Sequence, residues 1–146
     1  MEFTLVTPDR LQPEAAAEAV RRDAAGGVAL FLGMVRNHNL GRAVDHLEYD
    51  AYPPMAQKVM AEIRGRAISR FHLAEALIHH RTGRLQVGET SLLVAASSAH
   101  RSEAFEACAW IVDQVKALVP VWKKEVWEGG ESWIEGAPVQ PPVVQP

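Results

Sequence analysis

The sequence of 146 residues contains a single cysteine, Cys108, so no internal disulfide bond can form. This excludes a disulfide-stapled fold and is typical of a reducing compartment. No apolar run approaches the roughly 20 residues that a transmembrane helix needs. The first ten residues also lack the apolar core of a signal peptide. We therefore expect a single-domain, cytoplasmic protein.

There is no surplus of positive charge, because 15 Lys and Arg residues face 18 Asp and Glu residues. A nucleic-acid-binding domain is disfavoured by this balance and by the lack of aromatic residues interleaved with basic ones. Lysine itself is scarce, with four residues against eleven arginines, and three of the four are Lys116, Lys123 and Lys124. Lysine, unlike arginine, can exchange a proton when its surroundings lower its pKa. The cluster is therefore either a solvated basic surface or a reactive site.

Several catalytic and metal-binding motifs are also missing. The sequence has no glycine-rich phosphate loop, no GxSxG motif and no paired-cysteine metal signature. His79 and His80 are adjacent in a predicted strand and point to opposite faces, so they cannot chelate one ion together. We assign both a structural role. Cys108 lies on the apolar stripe of a predicted helix and is expected in the core rather than as a nucleophile. Neither a metal nor a cofactor is expected.

Hydropathy periods and turn residues predict seven strands and three helices. The strands are predicted at residues 2–6, 28–35, 44–52, 73–81, 90–97, 121–127 and 131–135, and the helices at 13–25, 53–70 and 102–119. Hairpins mixed with single helices indicate an α+β fold in one domain, residues 1–135, with an antiparallel sheet and a C-terminal hairpin. Residues 136–146 hold four of the nine prolines and no charge, and are expected to be a disordered or extended tail.

Two polar segments follow apolar strands, where functional loops are common. Residues 33–39 carry Arg36 into a loop directly after a buried strand. Residues 97–102 join another apolar strand to a helix, with His100 and Arg101 beside unpaired backbone N–H groups. Such a helix start can bind an anion such as phosphate, although an ordinary helix cap is the alternative.

The lysine cluster is the third candidate segment. Lys116 is near the end of a predicted helix, and Lys123 and Lys124 follow in the next strand. Strand alternation sends these two lysines to opposite sides, so at most one of them joins Lys116 closely. Together the three segments predict a cationic pocket for a small anionic substrate, with a lysine available for proton transfer.

These segments resemble the large, catalytic subunit of molybdopterin synthase. The matching pieces are FLGMVRNHNLG (31–41), YPPM (52–55), HHRTGRLQVGE (79–89), SSAHRSEAF (97–105) and VPVWKKE (119–125). The resemblance implies an α/β hammerhead fold and a sulfurtransferase without a cofactor. Such an enzyme converts cyclic pyranopterin monophosphate into molybdopterin, taking two sulfurs from the C-terminal Gly-Gly thiocarboxylate of a small ubiquitin-like sulfur-carrier subunit. It also implies a homodimer within a heterotetramer.

The resemblance further implies which residues form the site. The family's substrate-binding positions fall on Met34, Val35, Arg36, His100, Arg101, Lys116, Lys123, Lys124 and Glu125. Arg36, His100 and Arg101 suit the substrate phosphate, and Lys116 and Lys123 are the expected catalytic residues, with their individual roles left open. A module that binds the same partner or metabolite without chemistry is the alternative. The lysines favour the enzyme, because a purely anion-binding site could consist of arginine alone.

Overall fold

The computed structural model describes residues 1–134, which form three helices and ten strands. The helices are α1 (Pro13–Val20), α2 (Pro53–Phe71) and α3 (Arg101–Leu118). The strands are β1 (Thr4–Thr7), β2 (Gly27–Met34), β3 (His38–Asn39), β4 (Arg42–Ala43), β5 (His46–Ala51), β6 (Glu75–Arg81), β7 (Gly83–Gln86), β8 (Thr90–Ser98), β9 (Val121–Trp127) and β10 (Gly130–Ile134).

The first sheet has the strand order β1-β6-β8-β2. Strand β1 runs parallel to β6, while the β6–β8 and β8–β2 pairs are antiparallel. Helices α2 and α3 pack against one face of this sheet and α1 against the other. Because β8 is central and covered on both faces, its side chains from Ser91 to Ser98 are all buried.

The second sheet has the order β10-β9-β5-β7 and is antiparallel throughout. A separate, small hydrophobic core lies on this sheet and consists of Val44, Leu47, Leu85 and Val35, the residue that directly follows β2. The α+β class is thereby confirmed, with helices and two largely separate sheets in one chain.

Helix α1 ends at Val20, five residues earlier than the alanine-rich sequence predicts. The Arg22 guanidinium donates hydrogen bonds to the backbone carbonyls of Ala19 and Arg21 and so satisfies acceptors at the helix end. Gly26 therefore does not end the helix. A Cβ at Gly26 would lie 2.5 Å from the carbonyl oxygen of Ala99, so glycine is required there by close packing.

Three short strands, β3, β4 and β7, lie where the sequence predicts loop or turn. Strands β3 and β4 pair with each other as a short hairpin, with the positive-φ Gly41 in the turn between them. Strand β7 begins at the positive-φ Gly83 and pairs with the distant β5, which local hydropathy does not report. The predicted cap of α3 is also displaced, because His100 rather than Ser102 is the N-cap residue.

The interior stripe of α3 contains Cys108, Ile111, Val112 and Val115, as predicted. Phe105, which the apolar spacing also predicts in this stripe, is 64% exposed, because the helix buries Ala104 and Ala107 on either side of it instead. Burial raises the pKa of the Cys108 thiol to about 11, so the thiol is protonated at neutral pH and unsuited to nucleophilic attack.

Within residues 1–134 no helix is long and apolar enough to cross a membrane. The predicted domain boundary at residue 135 and the predicted tail at 136–146 lie outside the described residues.

Candidate active site

A cavity of about 810 Å³ opens where β2, α3 and β9 meet. Met34 ends β2, Lys116 lies in the last turn of α3, and Lys123 is the third residue of β9. The cavity is large enough for a small-molecule ligand. Its lining residues are Phe31, Leu32, Gly33, Met34, Arg36, Tyr49, His80, Ser91, Leu92, Val115, Lys116, Val119, Val121 and Lys123.

A bulge sets the direction in which β2 enters the cavity. The register of β2 against β8 shifts between Gly33 and Met34, and the Ser91 hydroxyl donates a hydrogen bond to the Gly33 carbonyl, 3.2 Å away. A bulge bends its strand and re-aims the side chains that follow. Met34 and Arg36, two of the predicted substrate-binding residues, consequently line the cavity.

Val35, predicted to contact the substrate, faces away from the cavity. Its side chain is buried in the core of the second sheet. Its N–H donates to the Glu89 carbonyl at 3.0 Å, and its own carbonyl accepts from the Gly88 N–H at 2.8 Å. Val35 therefore holds the end of β2 in place rather than presenting a side chain to a ligand.

Lys116 and Lys123 lie together at the cavity with Arg36. Burial lowers the pKa of Lys123, and the positive charges of Lys116 and Arg36 lower it further. The negative charge of Glu125 acts in the opposite direction. A larger fraction of Lys123 is thus neutral at a given pH than of an exposed lysine, which suits it to proton exchange.

Glu125 is almost completely buried, two residues beyond Lys123 and on the same face of β9. Its Oε2 accepts a hydrogen bond from Asn39 Nδ2 at 2.9 Å. Its Oε1 has no hydrogen-bond partner among residues 1–134. The carboxylate therefore balances the charge of Lys123 and retains an unused acceptor.

Lys124 lies on the opposite face of the sheet from Lys123. Its Nζ is 3.0 Å from Glu48 Oε2 and 3.5 Å from Glu131 Oε2, and it lies over the Trp133 ring. These partners raise the pKa of Lys124, the Glu48 hydrogen bond most strongly. The structure thus separates Lys124 from the cavity that Lys116 and Lys123 line.

His100 and Arg101 are remote from the cavity within one chain. Arg101 begins α3 and Lys116 lies in its last turn, so a rise of 1.5 Å per residue separates them by about 22 Å. Both residues are exposed. A single chain thus does not assemble the complete predicted site.

Three polar lining residues were not among the predicted site residues, namely Tyr49, His80 and Ser91. Tyr49 lies opposite Lys123 in the β5–β9 pairing, and the His80 ring meets the Tyr49 ring edge-on, with centroids 5.2 Å apart. Strand alternation indicates that one of His79 and His80 faces this side. Which one does so depends on how the two sheets pack.

Among the described residues, no group of three or more His, Cys, Asp or Glu side chains is placed to hold a metal ion.

Comparisons with known proteins agree on one family. The family model described as MoaE protein matches residues 6–118. The molybdopterin synthase catalytic subunit of Pyrococcus abyssi is 54% identical over 129 residues, which cover 88% of this chain and 87% of the relative.

Solved structures give the same result. The crystal structure of molybdopterin synthase from Staphylococcus aureus superimposes with a TM-score of 0.89 at 34% identity, covering 92% of this chain and 98% of the other. A chain from the Helicobacter pylori protein-protein complex of subunits 1 and 2 of molybdopterin-converting factor has a TM-score of 0.73. At 18% identity and 90% coverage of both chains, it shows a common fold.

Proposed function

Because this chain belongs to the MoaE protein family of molybdopterin synthase catalytic subunits, we propose that its cavity converts cyclic pyranopterin monophosphate into molybdopterin. The chain is a sulfur-transferring enzyme of molybdenum cofactor biosynthesis. The proposal concerns the substrate, the sulfur donor and the residues that act on them.

The observation that carries this proposal is the convergence of Arg36, Lys116 and Lys123 on one cavity. The three cations give it a positive potential in a chain whose net charge is −3. Arg36 can donate paired hydrogen bonds to phosphate oxygens. The substrate phosphate and an anionic sulfur donor are both attracted to such a site.

Lys116 and Lys123 are the proposed catalytic residues. A thiocarboxylate sulfur attacks a substrate carbon, a C–S bond forms, and the oxygen displaced from that carbon must take up a proton. Water then cleaves the acyl–sulfur bond, which leaves the sulfur on the substrate and a carboxylate on the donor. Lys123, whose pKa is lowered by burial and by Lys116, suits the protonation of the displaced oxygen.

The proposed sulfur donor is a small ubiquitin-like subunit with a C-terminal Gly-Gly thiocarboxylate. The H. pylori structure is a complex of two subunits of molybdopterin-converting factor, which supports a partner of this kind. A tail of two glycines has no side chains, so it can enter a narrow cavity and approach a bound substrate closely.

A second copy of the chain is proposed to complete the site. Strand β2 is an edge strand within residues 1–134, and Val28, Leu30 and Met34 on it are 39%, 40% and 59% exposed. An exposed apolar edge strand favours pairing with another strand. An antiparallel β2–β2 pair about a two-fold axis would join two copies into one continuous sheet.

The same pairing would bring His100 and Arg101 to the cavity. Gly27 pairs with Ser98 at one end of β2, and a Cβ at Gly27 would lie 3.6 Å from the Arg101 Cα. In an antiparallel pair, this end of one copy lies beside the Arg36 end of the other. Each cavity would then take its lysines from one chain and these two phosphate-binding residues from the other.

Reconstitution tests the proposed function. Purified protein is mixed with cyclic pyranopterin monophosphate and a thiocarboxylated small subunit, and the dithiolene product is measured. Formation of molybdopterin supports the enzyme, whereas tight binding of both components without product supports a non-catalytic binding module.

A further inference from the structure

His80 is buried, with 6% of its surface exposed, yet its ring lines the cavity. It lies near the end of β6 and packs edge-on against Tyr49. Its neighbour His79 points to the other side of the strand, where Nε2 lies 2.6 Å from the Glu2 carbonyl oxygen. Two adjacent histidines therefore have different surroundings, and only His80 of the two lines the cavity.

The hydrogen bond of His80 defines its tautomer. Its Nδ1 is 2.8 Å from the backbone carbonyl oxygen of Arg81, which accepts but cannot donate, so Nδ1 carries a proton. Burial lowers the pKa of the imidazole to about 4, and the charge of Lys123 contributes in the same direction. At neutral pH the ring is uncharged, and Nε2 has a free lone pair. No hydrogen bond from residues 1–134 uses that lone pair.

Beside the cations Arg36, Lys116 and Lys123, the cavity has an uncharged wall that includes Phe31, Tyr49, Ser91, Leu92 and Val121. His80 meets this wall at Tyr49, whose ring it contacts, and at Leu92, its partner across β6 and β8. Lys123 is close enough for its charge to lower the pKa of His80. Burial raises the pKa of the Tyr49 hydroxyl, so this group is also neutral. A ligand with an anionic end and an uncharged ring would place the anion at the cations and the ring at this wall.

We propose that His80 Nε2 accepts a hydrogen bond from a ring N–H or amino group of the heterocycle, which makes His80 a specificity-determining residue of this site. The inference rests on the proposed function, since a reduced pterin carries several such N–H donors and phosphate carries none. An acceptor on a buried wall discriminates strongly, because a ring that lacks the donor leaves the acceptor unpaired.

Two substitutions of His80 distinguish the role of its Nε2 atom from that of its Nδ1 atom. Asparagine places an amide N–H near the Nδ1 position and can keep the bond to the Arg81 carbonyl, but nothing replaces Nε2. Glutamine places an oxygen or nitrogen near the Nε2 position and loses the Nδ1 bond. We expect His80→Asn to bind cyclic pyranopterin monophosphate about tenfold more weakly, the effect of one lost hydrogen bond. His80→Gln should recover most of that affinity even if its melting temperature is lower.

Calorimetric titration of full-length protein measures these affinities, with inorganic phosphate as a second probe that reports only the cationic groups. Phosphate affinity should be the same in all variants. His79→Gln is the matched control, because glutamine can keep the bond to the Glu2 carbonyl and the side chain lies away from the cavity. It should bind the pterin like the wild type.

A measurement on the unmutated protein keeps the test independent of variant folding. The ¹⁵N resonance of an unprotonated imidazole nitrogen shifts when it accepts a hydrogen bond, so the His80 Nε2 signal should move far more with the pterin than with phosphate, which reaches the ring only through the charge of Lys123. Unchanged pterin affinity in His80→Asn, or a stationary Nε2 resonance at saturation, overturns the role of His80 and leaves the proposed function intact. If the wild-type protein fails to bind the pterin at all, the proposed substrate is wrong and the role of His80 falls with it.

Discussion

Lys123 and Lys124 are consecutive residues of β9 that face opposite sides of one sheet and have oppositely shifted pKa values. Lys123 lines the cavity beside Lys116, and its pKa is lowered by burial and by neighbouring cations. Lys124 binds Glu48 across the strand pair, and its pKa is raised. One strand thus presents a lysine suited to proton transfer and another suited to a permanent ion pair.

The first prediction concerns proton transfer by the lysines. Lys116→Arg and Lys123→Arg should each lower the rate of single-turnover sulfur transfer by about 10²–10⁴-fold, because arginine keeps the charge but cannot release its proton near neutral pH. Lys124→Arg is the internal control, since its side chain lies on the other face. Partner binding should be unchanged in all three variants. Near-normal rates in the first two variants would mean that positive charge alone is needed.

The second prediction concerns Arg36, which is exposed and lines the cavity. Arg36→Ala should weaken substrate binding by roughly 1.5–3 kcal/mol, the contribution of a hydrogen bond to a charged group. Unfolding free energy should change by no more than about 0.5 kcal/mol, as is usual at exposed positions. Titration and thermal melting measure the two quantities. A collapse of the melting temperature with normal binding would show that Arg36 is structural.

The third prediction tests whether two chains share each site. Arg101→Ala and Lys123→Ala should each be nearly inactive alone, but dimers that contain one chain of each kind should regain about half of the wild-type rate, because two-fold symmetry leaves one of their two sites intact. Mixed dimers can be isolated with two different affinity tags. An absence of recovery in purified mixed dimers would contradict a site shared between copies.

The fourth prediction concerns the edge strand β2. If the proposed dimer forms through this strand, Leu30→Lys should be a monomer, because it places a charge in the proposed apolar strand pair. Val87→Lys is a matched control, since Val87 is similarly exposed, at 43% against 40% for Leu30, and lies outside the strands. Light scattering at micromolar concentration measures the mass. A dimeric Leu30→Lys variant would place the interface elsewhere.

The fifth prediction concerns acid stability at Glu89. Hydrogen bonds from the Gln86 N–H and from Arg81 lower the pKa of this carboxyl below its ordinary value of 4.5. Its contribution to stability is therefore complete above pH 4.5 and is lost as the pH falls through the lowered value. Glu89→Gln should have a lower melting temperature than the wild type at pH 7 and should lose less stability on acidification. Parallel melting curves from pH 7 to pH 3 in both proteins would show that the carboxylate contributes nothing.

Much of the local structure could be predicted from the sequence. Apolar runs located β2 and β8, a proline pair located the start of α2, and strand alternation placed Lys123 and Lys124 on opposite faces. The same reasoning failed for α1, whose alanine-rich sequence continues past Val20. Helix propensity favours such a continuation, but residues 21–24 are exposed, so no tertiary packing stabilises a further turn.

The sequence by itself determined which chemistry this chain can perform, because its scarce lysines, its loop arginine and its motifs are local features of the chain. Only the tertiary structure decided which of these groups meet. It brought Lys116, Lys123 and Arg36 to one cavity, placed His80 in its wall, and left His100 and Arg101 about 22 Å away along α3. Side-chain alternation is set within a strand, whereas proximity depends on how sheets and helices pack across long sequence separations.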